Sequence, residues 1–292
     1  MRYKRLYLTA ISVLAAMIAA FAGPALASDV IGVPTDGAIG FQPSASPVMD
    51  MIASFHNGPI MWVITLITLF VMVLMIYILF RFSEKRNPVP SKTTHHVGLE
   101  VAWTIVPVFI LLFLLFPSMK LLYFQDVVPE SDMTIKDTGN TWNWEYAYPD
   151  YEDKVGSFIS NVLEKDDAQA AGKPYLLGTD APLVVPVEKV VKVLVTSNNN
   201  LHAFAVPSFG IKMDAIPGRI NETWFKATKK GVFYGQCSEL CGVRHAYMPI
   251  EIHVVDQRTF NRWIADGGPV YDQNYIQKIA TSGGPVGATA KR

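Results

Sequence analysis

Cysteine is nearly absent from this 292-residue chain, which has only Cys237 and Cys241. Two cysteines cannot build the disulfide framework of a small secreted domain, so an apolar core must hold the fold. Close together as they are, they form either one local disulfide of an exported domain or a shared site. Charge is scarce as well. Charged side chains make up 17% of the residues, against roughly a quarter in ordinary soluble domains. The 25 basic and 25 acidic residues balance, which removes the basic excess that a nucleic-acid partner would need. No internal repeat is visible. A c-type haem is excluded too, because its Cys-x-x-Cys-His run is missing and Gly242 follows Cys241. What abounds is apolar: half the residues are hydrophobic and the mean hydropathy is +0.24.

That apolar content is unevenly spread. Residues 1–27 open on Met-Arg-Tyr-Lys-Arg, continue through an apolar run and end at Ala25-Leu26-Ala27, the layout of a cleaved secretory signal peptide. An exported segment, 28–58, precedes a predicted membrane hairpin over 59–124. Its spans, about 59–82 and 98–124, are each long enough to cross ~30 Å of hydrocarbon. Pro107 and Pro117 lie inside the second span, where neighbouring helices can satisfy the freed carbonyls. The connecting loop carries Arg81, Lys85, Arg86 and Lys92 against Glu84 alone, so the positive-inside rule puts it in the cytoplasm. Both termini then lie outside, as the signal peptide independently requires.

From Gln125 the composition turns to that of a soluble domain, predicted over 125–266. Val184–Val187, Val190–Val195, Thr223–Lys226, Val232–Tyr234 and Ile250–Val255 are β-branched runs punctuated by Gly and Pro. Short strands with frequent turn signals predict an all-β sandwich or barrel, followed by a helix near Gln257–Asp266 and a Gly-rich tail, 267–292.

The chemistry concentrates in one segment, Gly235-Gln-Cys237-Ser-Glu239-Leu-Cys241-Gly-Val-Arg-His245-Ala-Tyr-Met248-Pro249. Two thiols, an imidazole and a thioether within about a dozen residues form a soft donor set. Sulfur with imidazole suits copper, and the thioether argues against zinc, which takes Cys, His and carboxylate. His202, ahead of an Ala-Phe-Ala-Val run, is the candidate second imidazole.

With Asp214-Ala-Ile-Pro-Gly-Arg219 and Gly98-Leu-Glu100-Val-Ala-Trp103-Thr-Ile-Val-Pro107, the Cys237–Pro249 segment resembles subunit II of the haem–copper cytochrome c oxidases. The resemblance runs from about residue 28 to 266. It implies a cupredoxin-like Greek-key β-sandwich behind the hairpin, holding two coppers as a binuclear CuA centre. Cys237 and Cys241 match the bridging ligands, His202 and His245 the terminal imidazoles, and Met248 the weak thioether. Glu239 matches the position whose backbone carbonyl binds copper and whose side chain binds a magnesium or manganese ion shared with a partner. Trp142 matches the electron-accepting tryptophan, and Glu100 the glutamate at the entrance of a proton path, with His95 nearby. The implied activity is electron transfer from cytochrome c to haem in subunit I, which reduces oxygen to water in the respiratory chain. The implied setting is a bacterial inner membrane, among lipid and beside subunits I and III, with the copper domain periplasmic and no haem on this chain.

Some positions depart from that pattern. Thr141-Trp-Asn143-Trp stands where Gln-Trp-Tyr-Trp is common, Asn199 where the family carries Asp, and Arg244 where Asn is usual. Asp150, Glu152, Asp153 and Asp180 remain candidates for a face toward a basic cytochrome, while Asn199 and Arg244 make the copper region less negative and imply a more weakly charged donor. Three rivals fit less well. A quinol oxidase subunit lacks the copper ligands, a copper-delivery protein has no use for Met248 or the second helix, and nitrous oxide reductase needs a large extra domain.

Overall fold

The computed structural model describes residues 32–269, so the predicted signal peptide and most of the predicted tail lie outside the described residues. The first helical stretch starts ahead of the apolar run. Helix α1 (Pro47–Phe55) begins where Ser46 accepts a hydrogen bond from the Met49 amide and Pro47 occupies the first helical position. A π-helical turn, His56–Ile60, joins it to α2 (Met61–Arg81). The polar Asp50, Ser54, His56 and Asn57 explain why hydropathy alone picks up this helix only near Pro59. Helix α3 (Val97–Asp126) returns antiparallel; Thr104 and Glu100 share its first turns, and Pro107 and Pro117 sit inside it. The two helical stretches reach mean hydropathies of 2.9 and 2.5, and none of either apolar window is buried within the chain. Such surfaces require lipid or partner helices around them. The chain is a membrane protein, with two spanning helices among the described residues.

Ten strands follow. They are β1 (Met133–Asn140), β2 (Asn143–Ala147), β3 (Phe158–Ser160), β4 (Leu183–Pro186), β5 (Val190–Ser197), β6 (His202–Val206), β7 (Ile211–Ala215), β8 (Asn221–Lys226), β9 (Gly231–Cys237) and β10 (Pro249–Val255). Helix α4 (Lys165–Ala170) lies between β3 and β4, and α5 (Gln257–Ala265) closes the domain with Asp256 as its N-cap. The strands form two five-stranded sheets, ordered β3-β2-β1-β5-β8 and β4-β10-β9-β6-β7. Pairing is antiparallel except for β1 with β5 and β4 with β10. The alternation of β5, with Val191, Val193 and Val195 buried between half-exposed residues, shows how one face of each sheet meets the other. Between the sheets lie Ile135, Trp144, Phe204, Phe225, Phe233, Ile250 and Ile252. Tyr148 ties the sheets together: its hydroxyl donates to the Val184 carbonyl at 3.0 Å and accepts from the Val184 amide at 2.9 Å. This is the two-helix hairpin and cupredoxin-like β-sandwich expected from the sequence.

The hairpin is fastened to the sandwich at several points. Ser46 Oγ donates to the Phe209 carbonyl at 2.7 Å, and the Ala45 amide donates to the Ser208 carbonyl at 2.9 Å. At the end of α3, Gln125 donates to the Gly210 carbonyl at 3.1 Å and accepts from Trp224 Nε1 at 3.0 Å. Gly210 has φ +68°, and a Cβ there would stand 2.8 Å from Ile52 and 3.1 Å from Met49, so glycine lets α1 seat on this turn.

Candidate metal centre

The donors gather at one end of the second sheet. β9 ends at Cys237, a short loop carries Cys241, a 3₁₀ turn carries His245, and Met248 precedes β10. Because β9 pairs with both β6 and β10, the loop is pinned at its two ends while His202 arrives from the start of β6. Cys237 Sγ lies 3.8 Å from His202 Nδ1, 3.3 Å from the Glu239 carbonyl oxygen and 3.9 Å from Cys241 Sγ. Cys241 Sγ lies 3.5 Å from His245 Nδ1 and 3.6 Å from Met248 Sδ. All the side chains predicted as copper ligands therefore meet around the sulfur pair. Both cysteines are buried free thiols, so the reading as a local disulfide is replaced by a shared site. Metal-bound donors at ~2.0–2.3 Å from one ion stand about as far apart as these do, and thiolate, imidazole and thioether together suit copper.

Neighbouring residues hold the donors ready. An Nε2–H of His202 donates to Asn199 Oδ1 at 3.1 Å, which leaves Nδ1 as the lone-pair nitrogen facing Cys237. The ring lies edge-on to Trp144, centroids 5.9 Å apart, and over Gly139, where an added Cβ would come within 2.8 Å of it. Trp144 Nε1 donates to the Met248 carbonyl at 3.0 Å and so fixes the thioether residue. Burial, followed by the charge of His245, lowers the His202 pKa and favours the neutral, ligating imidazole. Burial, with the nearby Cys237, pushes the Cys241 thiol up to about 12. Without metal this sulfur therefore keeps its proton, and metal binding must displace it.

The other predicted residues fall in distinct places. Trp142, half-buried, donates from Nε1 to the Cys241 carbonyl at 3.1 Å, and Asn200 donates to the same oxygen at 2.9 Å. Gly242, with φ +118°, lies under the indole; a Cβ there would be 3.1 Å from Cζ2. The Thr141–Trp142 peptide is cis. The Glu239 side chain lines a cleft of about 610 Å³ with Asp126, Asp214, Arg219 and Glu222, on the side where α3 joins the domain. Glu100 sits at the far end of α3, ~39 Å of helix away from Asp126, where it accepts from the His96 amide at 3.3 Å. Two of the surface acids already have backbone partners: Asp150 accepts from the Thr134 amide and Asp180 from Asn161. Trp144 and Gly139 are supporting residues that sequence reasoning did not single out as site residues; their only signal was proximity to Trp142 in the chain. Asn199 stood out there only as a change of charge, not as the partner of His202.

A membrane hairpin that carries a β-sandwich with a buried, sulfur-centred donor cluster defines a membrane-anchored metalloprotein of the copper type. Residues 133–255 match the cytochrome c oxidase subunit II periplasmic domain family, and residues 34–121 its transmembrane domain family. A probable cytochrome c oxidase subunit 2 from Rickettsia prowazekii is 46% identical over 227 residues, 78% of this chain and 71% of the relative. Cytochrome c oxidase subunit 2 from Cereibacter sphaeroides is 42% identical over 270 residues, 87% of this chain and 89% of the relative. The crystal structure of the periplasmic domain of subunit II from Bradyrhizobium japonicum is 54% identical, covering 48% of this chain and 96% of that one, with a TM-score of 0.45. The chain belongs to the cytochrome c oxidase subunit II family.

Proposed function

We propose that the chain takes electrons one at a time from a c-type cytochrome and delivers them to haem in a partner subunit, where oxygen is reduced. The observation that carries this reading is the donor cluster itself. Six donors converge: two sulfurs in the middle, and an imidazole with a weak ligand beside each. One copper takes three or four, so the set suits two ions sharing Cys237 and Cys241. When bound, such a pair takes up and releases a single electron spread over both metals.

The chain's own residues do the rest. Trp142 is partly exposed, and its Nε1–H reaches the carbonyl of Cys241, a short path from the surface to a ligand sulfur. The β6–β9–β10 pairing resists rearrangement, so the donors keep their places in both redox states. Asn199 and Trp144 hold His202 and the Met248 backbone, which limits reorganisation further. The Glu239 carboxylate, in its cleft with Asp126 and Asp214, suits a magnesium or manganese ion shared with a neighbouring subunit. Glu100 marks where protons would approach the partner from the cytoplasmic side. The exported sandwich, the basic loop 81–92 inside and both termini outside follow from the positive-inside rule. Subunits I and III and the surrounding lipid cover the exposed apolar faces of α2 and α3.

Copper content and low-temperature EPR of the chain purified within its oxidase test this reading. Two coppers per chain, with hyperfine structure from two equivalent nuclei sharing one unpaired electron, are expected. One copper per chain, readily lost to a chelator, would replace the reading with metal delivery.

A further inference from the structure

One buried acid takes no part in the metal centre. Asp137 lies in the middle of β1, fully buried on the inner face, and neither of its carboxylate oxygens has a hydrogen-bond partner among the described residues. Directly across the β1–β2 ladder stands Tyr146, also fully buried, with an unpartnered hydroxyl. The Ser160 hydroxyl, one strand further along the same face, is a third. Buried oxygens of this kind are costly unless they take up protons or share water.

The position relates Asp137 to the copper donors. Gly139, two residues on along β1, is the residue that lies against the His202 ring. Trp144, which meets that ring edge-on, pairs with Gly139 just as Tyr146 pairs with Asp137. Two strand residues span ~7 Å, so Asp137 stands roughly 10 Å from His202 across apolar core.

We propose that Asp137 is a redox-linked proton site, binding a proton when the metal centre gains an electron and releasing it when the electron leaves. The proposal rests on the reading of Cys237 and Cys241 as ligands of a redox-active copper centre. The balance is simple. A reduced c-type cytochrome supplies one electron to the centre. The aqueous phase supplies one proton, which bonds to an oxygen of the Asp137 carboxylate, and the net charge inside the domain is unchanged. Reoxidation returns both. At ~10 Å in a protein interior, one unit of charge alters a carboxyl's proton affinity on the order of tenfold.

The groups facing Asp137 fit this role. β2 presents Tyr146, with Tyr148 just beyond its end, β3 presents Ser160, and the partner on β5 is Val195, which is apolar. β6 presents His202, itself a ligand, and from β10 the charge of Glu251 reaches Tyr146. Burial raises the Asp137 carboxyl well above the ordinary carboxylate range. Exchange with solvent needs only brief opening at β3, a three-residue edge strand.

The test is a potentiometric titration of the copper centre in the intact oxidase at several pH values, with redox-difference infrared spectra of the same samples. Wild-type protein is expected to show a midpoint potential that falls as pH rises. A protonated-carboxyl band should grow on reduction and shift in heavy water. Asp137→Asn should abolish both the slope and the band while keeping two coppers; if it does not assemble, Asp137→Thr serves in the same measurements. A pH-independent wild-type potential without the band, or a slope and band surviving either substitution, overturns the proposal. Loss of the binuclear EPR signature in the wild type would instead sink the copper reading on which it rests.

Discussion

Gly139→Ala is the most informative small perturbation of the site. The new methyl would lie 2.8 Å from His202 Cδ2 and 3.0 Å from Cγ, closer than the 3.4 Å at which ordinary contact begins. The ring has nowhere to retreat, because Trp144 stands against it and Asn199 holds its far nitrogen. Overpacking of this kind costs about 1–3 kcal/mol, and the stiffer unfolded chain of an alanine offsets about 0.4–1 kcal/mol. The net loss of roughly 0.5–2 kcal/mol falls on the state in which His202 is aligned for metal, equivalent to about 2- to 30-fold weaker copper retention. Competition with a chelator, followed by EPR of the purified oxidase, reads both retention and ligand geometry. Gly156→Ala, with nothing within 4 Å of its added Cβ, is the control and should change neither. A Gly139→Ala protein with wild-type retention and unaltered hyperfine structure would refute the claim that this glycine makes room for His202.

Asn199→Ala removes the acceptor that orients His202, and copper affinity should fall about 10–100-fold, measurable by the same competition. Trp142→Phe loses the hydrogen bond to the Cys241 carbonyl; stopped-flow electron uptake should slow markedly while copper content and EPR stay unchanged. Lys173→Met should destabilise the fold by about 1–3 kcal/mol in thermal unfolding, because fully buried Glu251, 2.9 Å from Lys173 Nζ, loses one partner and keeps His253 and Thr179. Asp137 gives a pH signature of its own. Its folded pKa is raised by burial above the unfolded value of ~3.9, so stability is full below ~pH 4 and falls at up to ~1.4 kcal/mol per pH unit until the folded pKa is passed. Asp137→Asn should therefore raise the melting temperature at pH 7, with the gain vanishing toward pH 4.

The donor residues were legible because five of the six lie in one short stretch, where residue type and order limit the chemistry more than any fold does. Strands β4, β5, β9 and β10 were legible for a different reason: their β-branched runs declare themselves. Strand β1 did not. Its Lys136-Asp137-Thr138-Gly139-Asn140 segment has weak strand propensity, and tertiary pairing with β2 and β5 makes it a strand. The same holds for His202, which begins β6 five residues after β5 ends; its register is set by pairing with β7 and β9. Supporting contacts such as Trp144 to the Met248 carbonyl join residues 104 positions apart, and no local pattern encodes them.

The fastening of α1 and α3 to the sandwich has a consequence for speed. Tunnelling rates decay exponentially with distance, so a domain free to swivel on its stalk would deliver electrons at rates scattered over many decades. Ser46 on Phe209, Ala45 on Ser208 and Gln125 between Gly210 and Trp224 clamp both membrane segments to one corner of the domain. The lipid bilayer itself thereby becomes a fixed datum: once the helices are seated in it, the height of the sulfur pair above the membrane is no longer adjustable, and the hop to an embedded acceptor has a single length.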